Sequence, residues 1–176
     1  MWFPRKSRFV KAAALILLPA LAFAQTPIIF ERANIRIDPV VTAASDDPKS
    51  PVEARASVSY NIEVRGQDAL RLENIHPLST LTDSTGVMIT FLAPTLIGLP
   101  ALKNYTAVDA LFIGGGGEIL QIAPNIVPAD LQQEVMAKEP VKAFLFLKAG
   151  QVEARMIRPG DMVAGSMFNP GPPVMQ

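Results

Sequence analysis

The chain has no cysteine and a single histidine among its 176 residues. No disulfide can form, no thiol can act as a nucleophile, and no cysteine offers a lipid-anchor site. One histidine, His76, leaves a zinc-type cluster short of its usual ligands, and no metal or cofactor is expected. A Ser-His-Asp triad would need that one residue, and Ser57, Ser79 and Ser84 lie in no nucleophile-elbow pattern. Because Pro77 follows it, His76 reads as a loop residue. Beyond residue 24 the basic residues do not cluster, so no positive stripe suits a nucleic-acid backbone.

What is present begins at the start of the chain. Arg5, Lys6, Arg8 and Lys11 precede an apolar run, Ala12 to Leu21, broken only by Pro19. Ala22-Phe23-Ala24 then puts small residues where a signal peptidase reads. This order predicts a secretory signal peptide over residues 1–24, cut between Ala24 and Gln25. The apolar run is too short to span a bilayer, so no stable membrane insertion is expected after cleavage. A periplasmic or secreted protein follows. Four of the 16 basic residues and none of the 16 acidic ones lie in the leader, which leaves a mature charge of −4. That mild acidity argues against nucleic acid and anionic lipid as partners. Residues 25–168 are one domain's worth of chain, long enough for a real core. Residues 169–176 hold three prolines and read as a flexible tail.

Alternating apolar and polar residues predict strands over Ala33–Asp38 and Ala56–Val64, the second closed by Gly66. Gln67 to Asn74 has the residue types of a short helix or turn, and Ser45 to Pro51 those of a loop. Further strands are expected over Val87–Leu92, Val108–Ile113, Glu118–Ile122, Val141–Leu147 and Met162–Phe168. Thr95 to Pro100 reads as loop, Pro124 to Pro128 as an extended connection, and Ala129–Ala137 and Ala149–Met156 as helical turns. The glycines Gly114 to Gly117 sit between two β-type runs and carry no lysine, so they predict a hairpin rather than a phosphate cradle. Asp46-Asp47, followed by Pro48, Lys49 and Ser50, reads as a solvated loop rather than a calcium loop. The fold class expected is mainly β (a β-rich α+β domain): a compact, mostly antiparallel sheet or small barrel with one to three short helices.

From Gly86 onward the chain resembles one family, the domain of unknown function 192. The residues that carry the likeness are Gly86-Val87-Met88-Ile89-Thr90-Phe91 with Pro94, Lys103-Asn104, Val108-Asp109-Ala110-Leu111-Phe112-Ile113, Gly117-Glu118-Ile119, Phe144 to Gly150, and Ile157 to Val163. Pro100-Ala101-Leu102 stands where the family usually has Phe-Trp-Met, which marks a divergent member. The resemblance implies a β-rich single domain, often exported, with no settled biochemical activity.

Four residues are candidates for a binding site: Lys103, Asn104, Asp109 and Asp161. Lys103 and Asn104 offer donors beside the carboxylate that opens a buried strand, and polar groups converging on an apolar concavity orient a ligand. The alternative is structural: Asn104 and Asp109 cap or bridge loops, Lys103 pairs with Asp109, and Asp161 bonds the backbone of its Pro-Gly-Asp turn. The function expected is a non-enzymatic domain that binds an unknown small ligand or an envelope protein. Two alternatives remain: a hydrolase-like enzyme using Asp109 or Asp161 as base with Lys103, and a protein that offers an edge strand such as Ala33–Asp38 to another chain.

Overall fold

Seven strands form one sheet in the computed structural model, which describes residues 30–40, 55–70, 81–99, 107–127 and 135–168. They are β1 (Glu31–Asp38), β2 (Val58–Gly66), β3 (Thr85–Thr95), β4 (Val108–Ile113), β5 (Ile119–Ile126), β6 (Val141–Lys148) and β7 (Met162–Ala164). A 3-10 turn, Gln67–Leu70, follows β2, and the helix α1, Gln151–Ala154, follows β6. The order across the sheet is β5-β4-β6-β3-β2-β1-β7. All pairs are antiparallel except β2 and β3, which run parallel and therefore need the crossover between them. The sheet curls into a half-barrel. Its two edges meet at one end, where Glu118 bridges Met162 and Gly117, Ile119, Gly160, Asp161 and Val163 exchange backbone hydrogen bonds of 2.7–2.8 Å.

Alternation gives the sheet two apolar faces. Ile35, Ile37, Tyr60, Ile62, Met88, Leu111, Leu145 and Val163, drawn from six of the strands, pack on the concave side. Val87, Ile89, Phe91, Ala110, Phe112, Phe144 and Phe146 pack on the convex side, under Leu99 and Ala137. Phe144 meets Phe91 and Phe112 edge-on, with centroids 5.4 and 5.1 Å apart, worth about 1 kcal/mol per pair beyond the area buried. Residues of β4 are therefore buried on both sides, which explains the apolar run Ala110–Ile113.

The mainly β domain and the glycine hairpin are as expected, and four boundaries are corrected. Ala129–Ala137 is not helical over its described part: Val135 to Ala137 run extended against Ile97 to Leu99, with Gly98 bridged to Met136, so the loop read over Thr95–Pro100 carries a short ladder. Strand β3 runs on to Thr95, past Pro94, after a register shift beyond Thr90. Strand β5 runs through Pro124 to Ile126 because the bulge there leaves no ladder bond for proline to break. The final strand ends at Ala164, since the chain turns at Gly165 to close on Phe168. The leader over 1–24, the Asp46-Asp47 loop, His76 and the tail over 169–176 lie outside the described residues.

Candidate functional site

Asp109 is fully buried at the start of β4. Opposite it β5 bulges: Val108 pairs with Ile126 and Ala110 with Ala123, so two partners on β4 are spanned by three steps on β5. The extra residue, Asn125, takes φ 51°, which Asn tolerates better than most residues. Its freed N–H donates to Asp109 Oδ1 at 2.9 Å. The other carboxyl oxygen accepts from Val152 N, also at 2.9 Å, in the first turn of α1. One carboxylate thus fastens a bulge and the helix that follows β6.

Asp161 is 2% exposed and serves a different junction. Arg55 grips it through two bonds, Nη1 to Oδ2 at 2.6 Å and Nη2 to Oδ1 at 2.8 Å. The N–H groups of Arg158 and Val40 donate to the same carboxylate at 2.8 and 3.1 Å. Burial alone would raise its pKa. The Arg55 bonds, then the N–H groups of Arg158 and Val40, outweigh that and hold it below the usual carboxylate value. The space beside Arg55 and Asp161 is about 10 Å³, room for no more than one water.

Lys103 and Asn104 lie outside the described residues. Asp109 and Asp161 are not brought together: they share no hydrogen-bond partner and line no common concavity among the described residues. No three His, Cys, Asp or Glu side chains gather among the described residues.

A larger concavity lies on the outer side of β1, β2 and β3. It encloses about 620 Å³. Its floor is set by strand register. Arg32 stands opposite Glu63 and Glu63 beside Val87, while Asn34 stands opposite Asn61 and Asn61 beside Thr85. Alternation puts these six side chains on one face, in two rows of three. Leu81 forms a wall. In the second row the Asn34 amide donates to Asn61 Oδ1 at 3.2 Å. In the first row Glu63 is held in place: its Oε1 accepts from Arg65 Nε at 2.7 Å, and Arg65 is buried under the ring of Phe30, 4.4 Å from its centroid. A second concavity, about 320 Å³, opens at the end of the half-barrel between Glu31, Thr90, Lys142, Ser166 and Phe168. Lys142 Nζ there donates to Leu92 O at 2.8 Å.

The sequence offered little sign of this groove. Arg32, Asn34, Asn61 and Glu63 are the polar half of two alternating strands, the same pattern as any solvated face. Only the parallel pairing of β2 with β3, across a crossover, brings Thr85 and Val87 beside them.

A family model, DUF192, described as an uncharacterized ACR, matches residues 74–165, just over half of the chain. Four polar groove residues, Arg32, Asn34, Asn61 and Glu63, precede that segment. No curated protein matches the chain. Two solved structures resemble it. One, from Sinorhizobium meliloti 1021, is described as a candidate transcription regulator; it is 21% identical, covers 81% of this chain and 99% of its own, and superposes with a TM-score of 0.65. The other, from Novosphingobium aromaticivorans DSM 12444, is described as a protein of unknown function; it is 20% identical, covers 90% of this chain and 100% of its own, and superposes with a TM-score of 0.61. At such identities the likeness is one of fold.

Proposed function

We propose that this chain, which belongs to the DUF192 family of uncharacterised proteins, is an exported, non-enzymatic domain that binds a small ligand in the groove over β1, β2 and β3. The observation that carries the reading is the registered floor of the groove, two rows of side chains set by strand pairing beneath about 620 Å³ of space. That volume falls within the roughly 300–1,000 Å³ of small-molecule sites. A floor built on hydrogen-bonded strands is rigid, and Glu63 is further held by Arg65, so little ordering cost attends binding.

The enzymatic alternative has less support. Asp109 as a base would first have to release the N–H groups of Asn125 and Val152, and Asp161 would have to leave Arg55. The edge-strand alternative is narrowed to Glu31–Ile35, because β1 already pairs with β7 over Arg36–Asp38. The description of one neighbour as a transcription regulator is not carried over, since a mature charge of −4 opposes binding to a phosphate backbone.

Export rests on the leader and predicts a mature protein of the periplasm or the medium that begins at Gln25. Mass spectrometry of protein taken from its native compartment tests this, and an intact Met1 on cytoplasmic protein would sink it. For binding, the full chain labelled with 15N is titrated with a chemically diverse fragment library. Saturable shifts at Asn34, Asn61 and Thr85 are expected. Hits confined to other surfaces would remove the groove from consideration.

A further inference from the structure

The chemistry of the two rows points to a ligand class, and this inference rests on the groove being the binding site. Arg32 is exposed at one corner of the floor and enters no ion pair among the described residues. Its neighbour across the strands, Glu63, is held by Arg65, whose guanidinium is buried. Arg32, Glu63 and Arg65 together carry one net positive charge, in a chain whose mature form is acidic overall. A free guanidinium at the rim of a groove suits a carboxylate, which it takes through two parallel bonds.

The second row has a different character. With Asn34 Nδ2 donating to Asn61 Oδ1, the amide pair still presents an acceptor, Asn34 Oδ1, and three donors, two on Asn61 Nδ2 and one on Asn34 Nδ2. Thr85 adds a hydroxyl, which accepts from Thr82 N at 2.8 Å and shares a bond with Thr82 Oγ1 at 3.0 Å. The three strands that carry these groups lie about 4.8 Å apart. Such spacing matches hydroxyls two carbons apart on a ring rather than a single polar head. Leu81 and Val87 supply an apolar wall for the ring's C–H edge, and among the described residues no aromatic side chain lines the groove for a planar base to stack on.

We propose that the groove takes a sugar acid, a single polyhydroxylated ring bearing a carboxylate, with Arg32 on the carboxylate and Asn34, Asn61 and Thr85 on the hydroxyls. The experiment is a 15N titration of the full chain with D-galacturonate, D-galactose and acetate in parallel. Galacturonate should give saturable shifts at Asn34, Asn61 and Thr85. Galactose should bind about tenfold more weakly or worse, since it loses a charge-assisted pair, and acetate should not saturate. Arg32→Gln should remove the advantage of the acid over the neutral sugar. Arg36→Gln, whose residue pairs with Asp38 outside the groove, should leave that advantage intact. Equal affinity for acid and sugar, saturation by acetate alone, an unaffected Arg32→Gln or no saturable shift would each overturn the sugar-acid class. If library fragments still bind at Asn34 and Asn61, only the class falls. If they do not, the groove reading falls with it.

Discussion

Arg55 and Asp161, 106 residues apart in sequence, meet in a two-pronged ion pair with both side chains nearly buried. Arg55 also donates to Met156 O at 2.8 Å, so the guanidinium ties the segment before β2 to the turn after α1. Asp161 answers by accepting from Val40, just past β1. The pair therefore fastens the chain around β7, the short strand through which the two edges of the half-barrel meet.

Asp161→Asn should destabilise the protein by about 3 kcal/mol, because it leaves a nearly buried guanidinium without its counter-charge. Chemical denaturation at pH 7 measures this. A loss below about 1 kcal/mol would show the pair to be marginal.

The same residue sets a pH dependence. Its folded pKa lies below the ordinary carboxylate value near 4, so its contribution is complete above that value and is lost as pH falls toward the folded pKa. Stability of the natural protein should drop as pH falls below about 4, and Asp161→Asn should show a shallower drop. Parallel slopes would assign acid unfolding to other carboxylates.

Asp109→Asn should cost about 2 kcal/mol, since one of two backbone N–H groups would face an NH2 instead of an oxygen. Thermal unfolding should show the loss while the groove resonances of Asn34 and Asn61 stay in place. Loss of ligand binding without loss of stability would return Asp109 to the list of binding residues.

The four hairpin glycines should not be equivalent. Gly117 has φ 93°, and a Cβ there would stand 2.6 Å from Val163 O. Gly117→Ala should cost about 3 kcal/mol through backbone strain and a clash with the strand it bonds. Gly115, whose nearest neighbour would be Pro94 at 3.6 Å, should accept alanine with a change within about 0.5 kcal/mol. Similar melting temperatures for the two variants would contradict the geometry.

Tyr60 is wholly buried on the concave side, and its hydroxyl has no partner among the described residues. Burial raises its pKa, so it stays neutral across the physiological range. Tyr60→Phe should leave stability unchanged or raise it by about 1 kcal/mol, because no bond is lost and a desolvated hydroxyl is removed. A clear fall in the denaturation midpoint would reveal a partner for the hydroxyl.

Hydrophobic patterning determined the β class, the strands at Val108–Ile113 and Val141–Leu147 and the glycine hairpin between β4 and β5. Those signals are local: a run buried on both faces must be mostly apolar, and a tight reversal between strands favours glycine. The chain by itself also marked Asp109 and Asp161 as unusual, since carboxylates beside apolar strands must find partners. It named the turn backbone for Asp161, which Arg158 N supplies, but not the distant partners. Arg55, 106 residues away, and the bulge at Asn125 are met only once β7 and β5 are in place. The reach of β5 past Pro124 and the early end of β7 were likewise decided by pairing, because a bulge and a turn at Gly165 override what residue type alone suggests. The groove belongs wholly to tertiary structure. Its polar residues look like ordinary surface positions on separate strands, and a parallel register across a crossover is a long-range choice that no local pattern encodes.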